Sequence, residues 1–343
     1  MNLLRKFIVV IAATSISLFA QADIQDLGTL GGSRSAAYDV NESGQVVGWA
    51  DTASDGREAF LWTEAGGMVG LGTLGGFGST AWAISDNGQV VGESLTAGND
   101  THAFSWTAAG GMVDLGTLGG TNSYALAVNE NGQVVGYSQL PGGGTHAFLW
   151  TDAGGMIDLG TLGTGPSSFS KALAVNDAGQ VIGDSLTDEF YSRVFSWTQS
   201  GGMVNLGTLN GYVAFPGAVN NSGQVVGSAD TPNASSHAFL WTQASGMVDL
   251  GTLTGALYSA SQGWDVNESG HVVGDSGTTP HETHAVLWTS TENILDLGVP
   301  TGGVTSSARI INDAGLVVGS FETTLGYDHA FAWTARDGIV DLG

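Results

Sequence analysis

The sequence predicts an all-β protein, a seven-bladed β-propeller of four-stranded antiparallel repeats about 44 residues long. Three observations carry this. The tripeptide Asp/Gly/Asn-Leu-Gly begins at Asp26, Gly70, Asp114, Asp158, Asn205, Asp249, Asp296 and Asp341, a nearly constant step. Each step contains one tryptophan at a fixed place: Trp62, Trp106, Trp150, Trp197, Trp241, Trp288 and Trp333. Glycine makes up 55 of 343 residues, about 16% against a usual ~7%, with no Gly-X-Y period and only 6 prolines. Such glycine usage beside 42% hydrophobic residues fits tight turns between short strands rather than collagen or disorder.

Taken in order, the chain opens on an export signal spanning 1–22. Arg5 and Lys6 form a cationic start, Phe7 to Phe19 is mostly apolar, and Ala20-Gln21-Ala22 reads as a cleavage site. The apolar run is shorter than the roughly 20 residues a membrane span requires. Residues 23–343 are expected to form a single exported domain, extracellular or periplasmic and monomeric, with no membrane span. In the third repeat, Tyr124 to Asn129, Gln133 to Ser138, His146 to Thr151 and Met156 to Leu159 read as strands a, b, c and d. The turns Asn-x-x-Gly and Thr-x-x-Gly-Gly supply glycine where a hairpin loop needs positive φ. Seven units leave one Asp-Leu-Gly over, so either Ile24 to Leu27 or Ile339 to Leu342 completes the last repeat.

The string His-Ala-Phe-x-Trp stands at 102–106, 146–150, 237–241 and 329–333, flanked by Asn-x-x-Gly-Gln-Val-Val-Gly and Asp-Leu-Gly-Thr-Leu-Gly-Gly. With these motifs the chain resembles the HAF-repeat family of probable extracellular bacterial proteins. The resemblance implies export and a repeated β architecture, and it brings no catalytic residues. Glu58 and Arg193 replace the motif histidine in the first and fourth repeats.

A formal charge of −24, from 8 Lys+Arg against 32 Asp+Glu, argues against a nucleic-acid partner, because phosphate neutralisation needs a basic face. Zero cysteines exclude disulfides and thiolate chemistry. The repeated histidines are spaced one per repeat and cannot converge on one ion, so they read as scaffold hydrogen-bonding groups. His281-Glu282-Thr283-His284 is not the His-Glu-x-x-His of zinc enzymes. Asp39 to Gly44 and Asp265 to Gly270 imitate a calcium-loop start but lack the bidentate Glu at position 12, where Ala50 and Ser276 stand. No metal site and no cofactor are expected.

The spacing locates function. The interval from the turn residue to the Trp is identical in every repeat, from Asn41 to Trp62 in the first through Asn312 to Trp333 in the last. The interval from the Trp to the next Asp/Gly/Asn-Leu-Gly, as from Trp62 to Gly70, is equally constant. All length variation lies in the d–a crossovers, which are longest from Asp158 to Asn176 and from Asp249 to Asn267. In a four-stranded meander these share one face with the b–c loops, and loops that vary on a rigid scaffold are the usual place for function. The residue after Val-Val/Ile-Gly is Trp49, Glu93, Tyr137, Asp184, Ser228, Asp275 and Ser320, and the crossovers add Phe77, Tyr124, Phe169, Tyr212 and Tyr258. Trp49, Glu93, Tyr137, Asp184, Tyr212 and Asp275 are the candidate ligand-binding residues. Aromatic rings beside carboxylates can stack on a sugar and bond its hydroxyls, or receive a cationic peptide. The expected function is a non-catalytic binding module for a glycan or protein. The alternatives are a propeller hydrolase or lyase using Glu93, Asp184 and Asp275, and a structural envelope or matrix component.

Overall fold

A computed structural model describes residues 25–343 except 234, 257–258 and 280–281. The expected signal at 1–22 lies outside the described residues, as do Tyr258 and His281. Among the described residues there are 28 strands and no helix. Each repeat is an antiparallel meander of four consecutive strands. In the third these are Ser123–Val128, Val134–Gln139, Thr145–Thr151 and Gly155–Asp158, within one residue of the expected bounds at every end. The first two repeats share an eight-stranded sheet through the parallel bridge Arg57↔Gly78, and the other five form separate four-stranded sheets. The chain falls into two compact units: 25–188 with 197–203, and 189–196 with 204–343.

Within each unit the core lies between neighbouring repeats. Val91, Ala103 and Leu115 of the second repeat pack on Ala125, Val134 and Phe148 of the third. Val226, Ala238 and Leu250 of the fifth meet Val272, Val286 and Trp288 of the sixth, where the Trp288 Nε1–H donates to the Leu250 carbonyl at 2.8 Å. Apolar groups on both faces of strands b and c follow from this layering.

Within each unit, polar side chains tie neighbouring repeats together. The buried Ser123 hydroxyl accepts from the Ala103 N–H at 2.8 Å and donates to the Gly116 carbonyl at 2.6 Å. The same pair of bonds recurs at Ser79, Ser170, Ser261 and Ser306. On the a–b turns, the Asp86 carboxylate accepts from the Glu42 N–H, and the Glu130 carboxylate accepts from the Asp86 N–H. These acidic turns are repeat-to-repeat fasteners.

The repeated histidine has a local partner. His102, His146, His237, His284 and His329 each hold the Asp twelve residues on through Nδ1, at 2.8 to 3.2 Å. Asp114 and its equivalents Asp158, Asp249, Asp296 and Asp341 also accept the N–H two residues later. Where Glu58 replaces the histidine, glycine replaces the aspartate at Gly70, and a Cβ there would press on Glu58 Oε2 at 2.5 Å.

The surplus Asp-Leu-Gly is resolved in favour of the C-terminus: Gly338–Asp341 is strand d of the last sheet. Residues 25–29 form no strand, but Leu27 packs on Val46, Phe60 and Trp62, and Ser35 Oγ donates to the Gly28 carbonyl at 2.8 Å. The N-terminal copy thus supplies the first repeat with contacts that Leu115 and Gly116 supply to the third.

Candidate functional site

The residue after Val-Val-Gly sits in mid-strand b, opposite strand a. There the a–b register shifts by one residue, between Ala37 and Asp39, Ala81 and Ala83, Ala172 and Ala174, Gly263 and Asp265, and Ala308 and Ile310. Such a bulge leaves one extra residue and re-aims its side chain. Those residues include Tyr38, Trp82, Trp264 and Arg309. Trp49 Nε1–H donates to the Tyr38 hydroxyl at 3.0 Å, and Trp264 Nε1–H donates to Asp275 Oδ1 at 2.7 Å. In both cases the partners are eleven residues apart across the bulge.

In the unit containing the first three repeats these groups form a row. The Arg57 guanidinium lies 3.6 Å from the Trp49 ring centre, Tyr38 stacks on Trp82 at 4.6 Å, Tyr124 stacks on Tyr137 at 4.7 Å, and Lys171 Nζ lies 4.8 Å from the Tyr137 ring centre. Burial pushes the Glu93 carboxyl above its ordinary value, and the Trp82 indole N–H only partly offsets this. That indole Nε1–H is buried and makes no hydrogen bond of normal length. Asp184, cross-strand neighbour of Lys171, is also pushed up by burial, against the lysine charge. Burial, then Tyr124 and Glu93, push the Tyr137 hydroxyl up to about 12.

The structure therefore joins Trp49, Glu93, Tyr137 and Asp184 in one unit, but as half-buried mid-strand groups rather than loop groups at a rim. Asp275 is likewise half-buried in mid-strand, held by Trp264 and by the Ser307 hydroxyl at 2.7 Å, with Arg309 at 4.4 Å from the Trp264 ring centre. The sequence reading set these residues on the loop face, whereas strand b holds them in mid-strand, and the bulge that aims Tyr38, Trp82 and Trp264 at them has no signature in the alternation. A signal was present nonetheless. The third residue before the turn position reads Tyr, Trp, Leu, Leu, Gly, Trp and Arg along an otherwise repetitive strand.

Glu93 binds its proton more tightly folded than unfolded. Its ionised form therefore costs stability in full above the raised value, and that cost disappears as pH falls below the ordinary 4.5. Glu93→Gln is expected to raise the melting temperature at pH 7 and to leave it nearly unchanged at pH 4. A lower melting point at pH 7 would mean that the charged carboxylate is held by favourable bonds instead.

Tyr212 alone of the candidates lies on the exposed loop face, 63% exposed on the crossover into the fifth repeat. Its ring lies 5.3 Å from that of Tyr191, and the Arg193 guanidinium lies 5.4 Å from the Tyr191 ring centre. Phe190, next in sequence to Tyr191, is 71% exposed at φ 65°, a left-handed conformation that bulky side chains rarely adopt. Sequence reasoning put the b–c loop 188–192 on the functional face and noted Arg193 as a histidine replacement, but did not single out Phe190, Tyr191 or Arg193 as site residues. In the other unit, Asp188 accepts from the Thr164 N–H at 2.6 Å and the Gly165 N–H at 3.2 Å, fastening the long crossover 161–171 to its b–c loop. These bonds, Thr164 first, hold the exposed Asp188 carboxyl below the usual range.

On the same loop face of the second unit, a cavity of about 390 Å³ opens between the fifth and sixth repeats. Its walls include Asn210, Asn233, Ser235, His237, Asp249 and Ala256. The bond to Asp249 raises the His237 imidazole above its ordinary value against its own burial, and the Ser259 backbone adds to the rise. Asp249 is held below its ordinary value: burial opposes this, but bonds from His237 and the Gly251 N–H prevail. The pair is therefore expected to stabilise most between about pH 4 and 6.5, the ordinary values being 3.8 and 6.5. Its contribution falls as pH rises through the raised imidazole value, and falls again as pH drops through the lowered carboxyl value. The wild-type advantage over His237→Gln in urea unfolding should shrink above pH 7, and a pH-independent advantage would show the imidazole stays neutral.

The sequence matches no protein-family model, and no curated protein matches it. Solved structures do match. The β-propeller domain of the Trilobed protease from Pyrococcus furiosus is 9% identical, with a TM-score of 0.55, covering 90% of this chain and 98% of that one. A structure from a study of two prolyl endopeptidases gives 12% identity and a TM-score of 0.62, covering 90% of this chain and 49% of that one. A puromycin-hydrolyzing peptidase of Mycobacterium tuberculosis gives 11% and 0.55, covering 96% of this chain and 56% of that one. The chain spans about half the length of these last two. At such identities the likeness shows the fold alone: this is a β-propeller protein.

Proposed function

We propose that the chain is an exported, seven-bladed β-propeller of the HAF-repeat kind that binds a glycan through its d–a/b–c loop face, without catalysis. The observation that carries this reading is the two exposed rings Phe190 and Tyr212, with the half-buried Tyr191 against Tyr212 and Arg193 beside it. Exposed rings on a rigid sheet scaffold offer flat stacking surfaces at little entropic cost, and a contiguous apolar patch on a soluble surface marks an interaction site. The strained Phe190 backbone points the same way, since such outliers cluster at ligand sites.

A glycan and peptide array tests it. Tyr191→Ala with Tyr212→Ala is expected to reduce glycan retention at least tenfold at an unchanged melting temperature. Unchanged retention in folded protein refutes the site, and retention of cationic peptides alone turns the reading to a protein ligand. One observation favours a second reading, a hydrolase: burial raises both Glu93 and Asp184, as in many general acids. Turnover of a retained glycan that is lost in Glu93→Gln would establish it.

A further inference from the structure

We propose that the cavity between the fifth and sixth repeats is a subsite for one neutral pyranose ring, an inference that rests on the glycan-binding reading above and gives it a location. At about 390 Å³ the cavity falls within the ~300–1,000 Å³ of small-molecule sites.

Local sequence builds it in this repeat. The following crossover, from Asp249 to Asn267, is one of the two longest, and its Gly255 and Ala256 form one wall. The preceding crossover contributes Asn210, a non-glycine residue at φ 71°, and the b–c loop contributes the opposite wall. That loop is closed by its own bonds: Thr231 N–H donates to the Ser235 carbonyl at 2.9 Å, and the two hydroxyls pair at 2.9 Å. Two residues before the motif histidine stands Ser235, where four other repeats carry Asp100, Gly144, Glu282 and Tyr327. Its hydroxyl lies 3.5 Å from His237 Nε2.

The wall chemistry selects the ligand class. Amides and hydroxyls present both donors and acceptors, as a polyol requires. His237 Nδ1 and the Asp249 carboxylate are engaged with each other at 2.9 Å, so neither is left free to lead recognition of a charged ligand. A chain of net charge −24 further disfavours anions. Leu209, Pro232 and Ala256 give apolar surface for the C–H face of a sugar ring.

The test is saturation-transfer NMR and titration of the full exported chain with glucose, galactose, mannose and N-acetylglucosamine. Asn210→Gly keeps the left-handed backbone while removing the amide, Asn233→Ala removes the second amide, and Ala256→Trp fills the space from an exposed position. At least one sugar should bind saturably, weaken tenfold or more in the first two variants and fail to bind in the third, all three melting like wild type. No saturable sugar, or binding that persists in folded Ala256→Trp, overturns the proposal. If array glycans are lost in Tyr191→Ala and Tyr212→Ala yet unaffected by Ala256→Trp and Asn233→Ala, the subsite is wrong and the loop-face reading stands. If no glycan is retained at all, both fall.

Discussion

Gly136→Ala is expected to cost roughly 4 kcal/mol or more, enough to prevent folding of the third repeat. The bulge in strand a turns the Tyr124 carbonyl across Gly136, so an added Cβ would overlap that oxygen and sit 3.0 Å from Ala125 Cα. Both obstacles are backbone, and neither can swing aside. Gly48, Gly92, Gly227, Gly274 and Gly319 face the same carbonyl in their own repeats, which explains the recurring glycine of Val-Val-Gly. Gly144→Ala, in the b–c loop of the same repeat, is the matched control. Its Cβ would meet only Leu140 Cδ1 at 3.6 Å, and its cost should stay within about 0.5 kcal/mol. Urea unfolding followed by circular dichroism compares them, and similar midpoints would show that the sheet can relax around the added methyl.

Ser123→Ala is expected to destabilise by about 2–4 kcal/mol, because it leaves two backbone partners unsatisfied at roughly 1–3 kcal/mol each. The Ala103 N–H and the Gly116 carbonyl both meet the Ser123 hydroxyl, which is 0% exposed, so water cannot replace it. Hydrogen exchange at the Ala103 amide should accelerate with the loss. An unchanged unfolding midpoint with protection intact would mean that a trapped water takes over the bonds. The substitution matters beyond its own repeat, since these bonds join the second repeat to the third, and repeat proteins draw their stability from such interfaces.

Most of the scaffold is legible because its causes are local and recur. The Asn-x-x-Gly turn, the alternation of His146, Phe148 and Trp150, and the fixed spacing from turn to Trp specify each hairpin from within a few residues. The spacing of His146 to Asp158 also contains their pairing, since strands c and d are joined by a short turn that brings them side by side.

The sequence by itself determined the all-β class, the strand bounds and the repeat, and it singled out residues such as Trp49 and Asp275 by their place after Val-Val-Gly. It could not determine what those residues touch. The bulge that aims Trp82 toward Glu93 and Trp264 onto Asp275 depends on how two paired strands share their twist, and the rings that stack across repeats come from distant segments. The contact of Tyr191 with Tyr212, and the cavity walled by three separate loops, were likewise decided only by tertiary structure. Periodicity fixes which way a side chain points from its own strand. Burial, partners and cavities depend on what the rest of the fold puts in front of it.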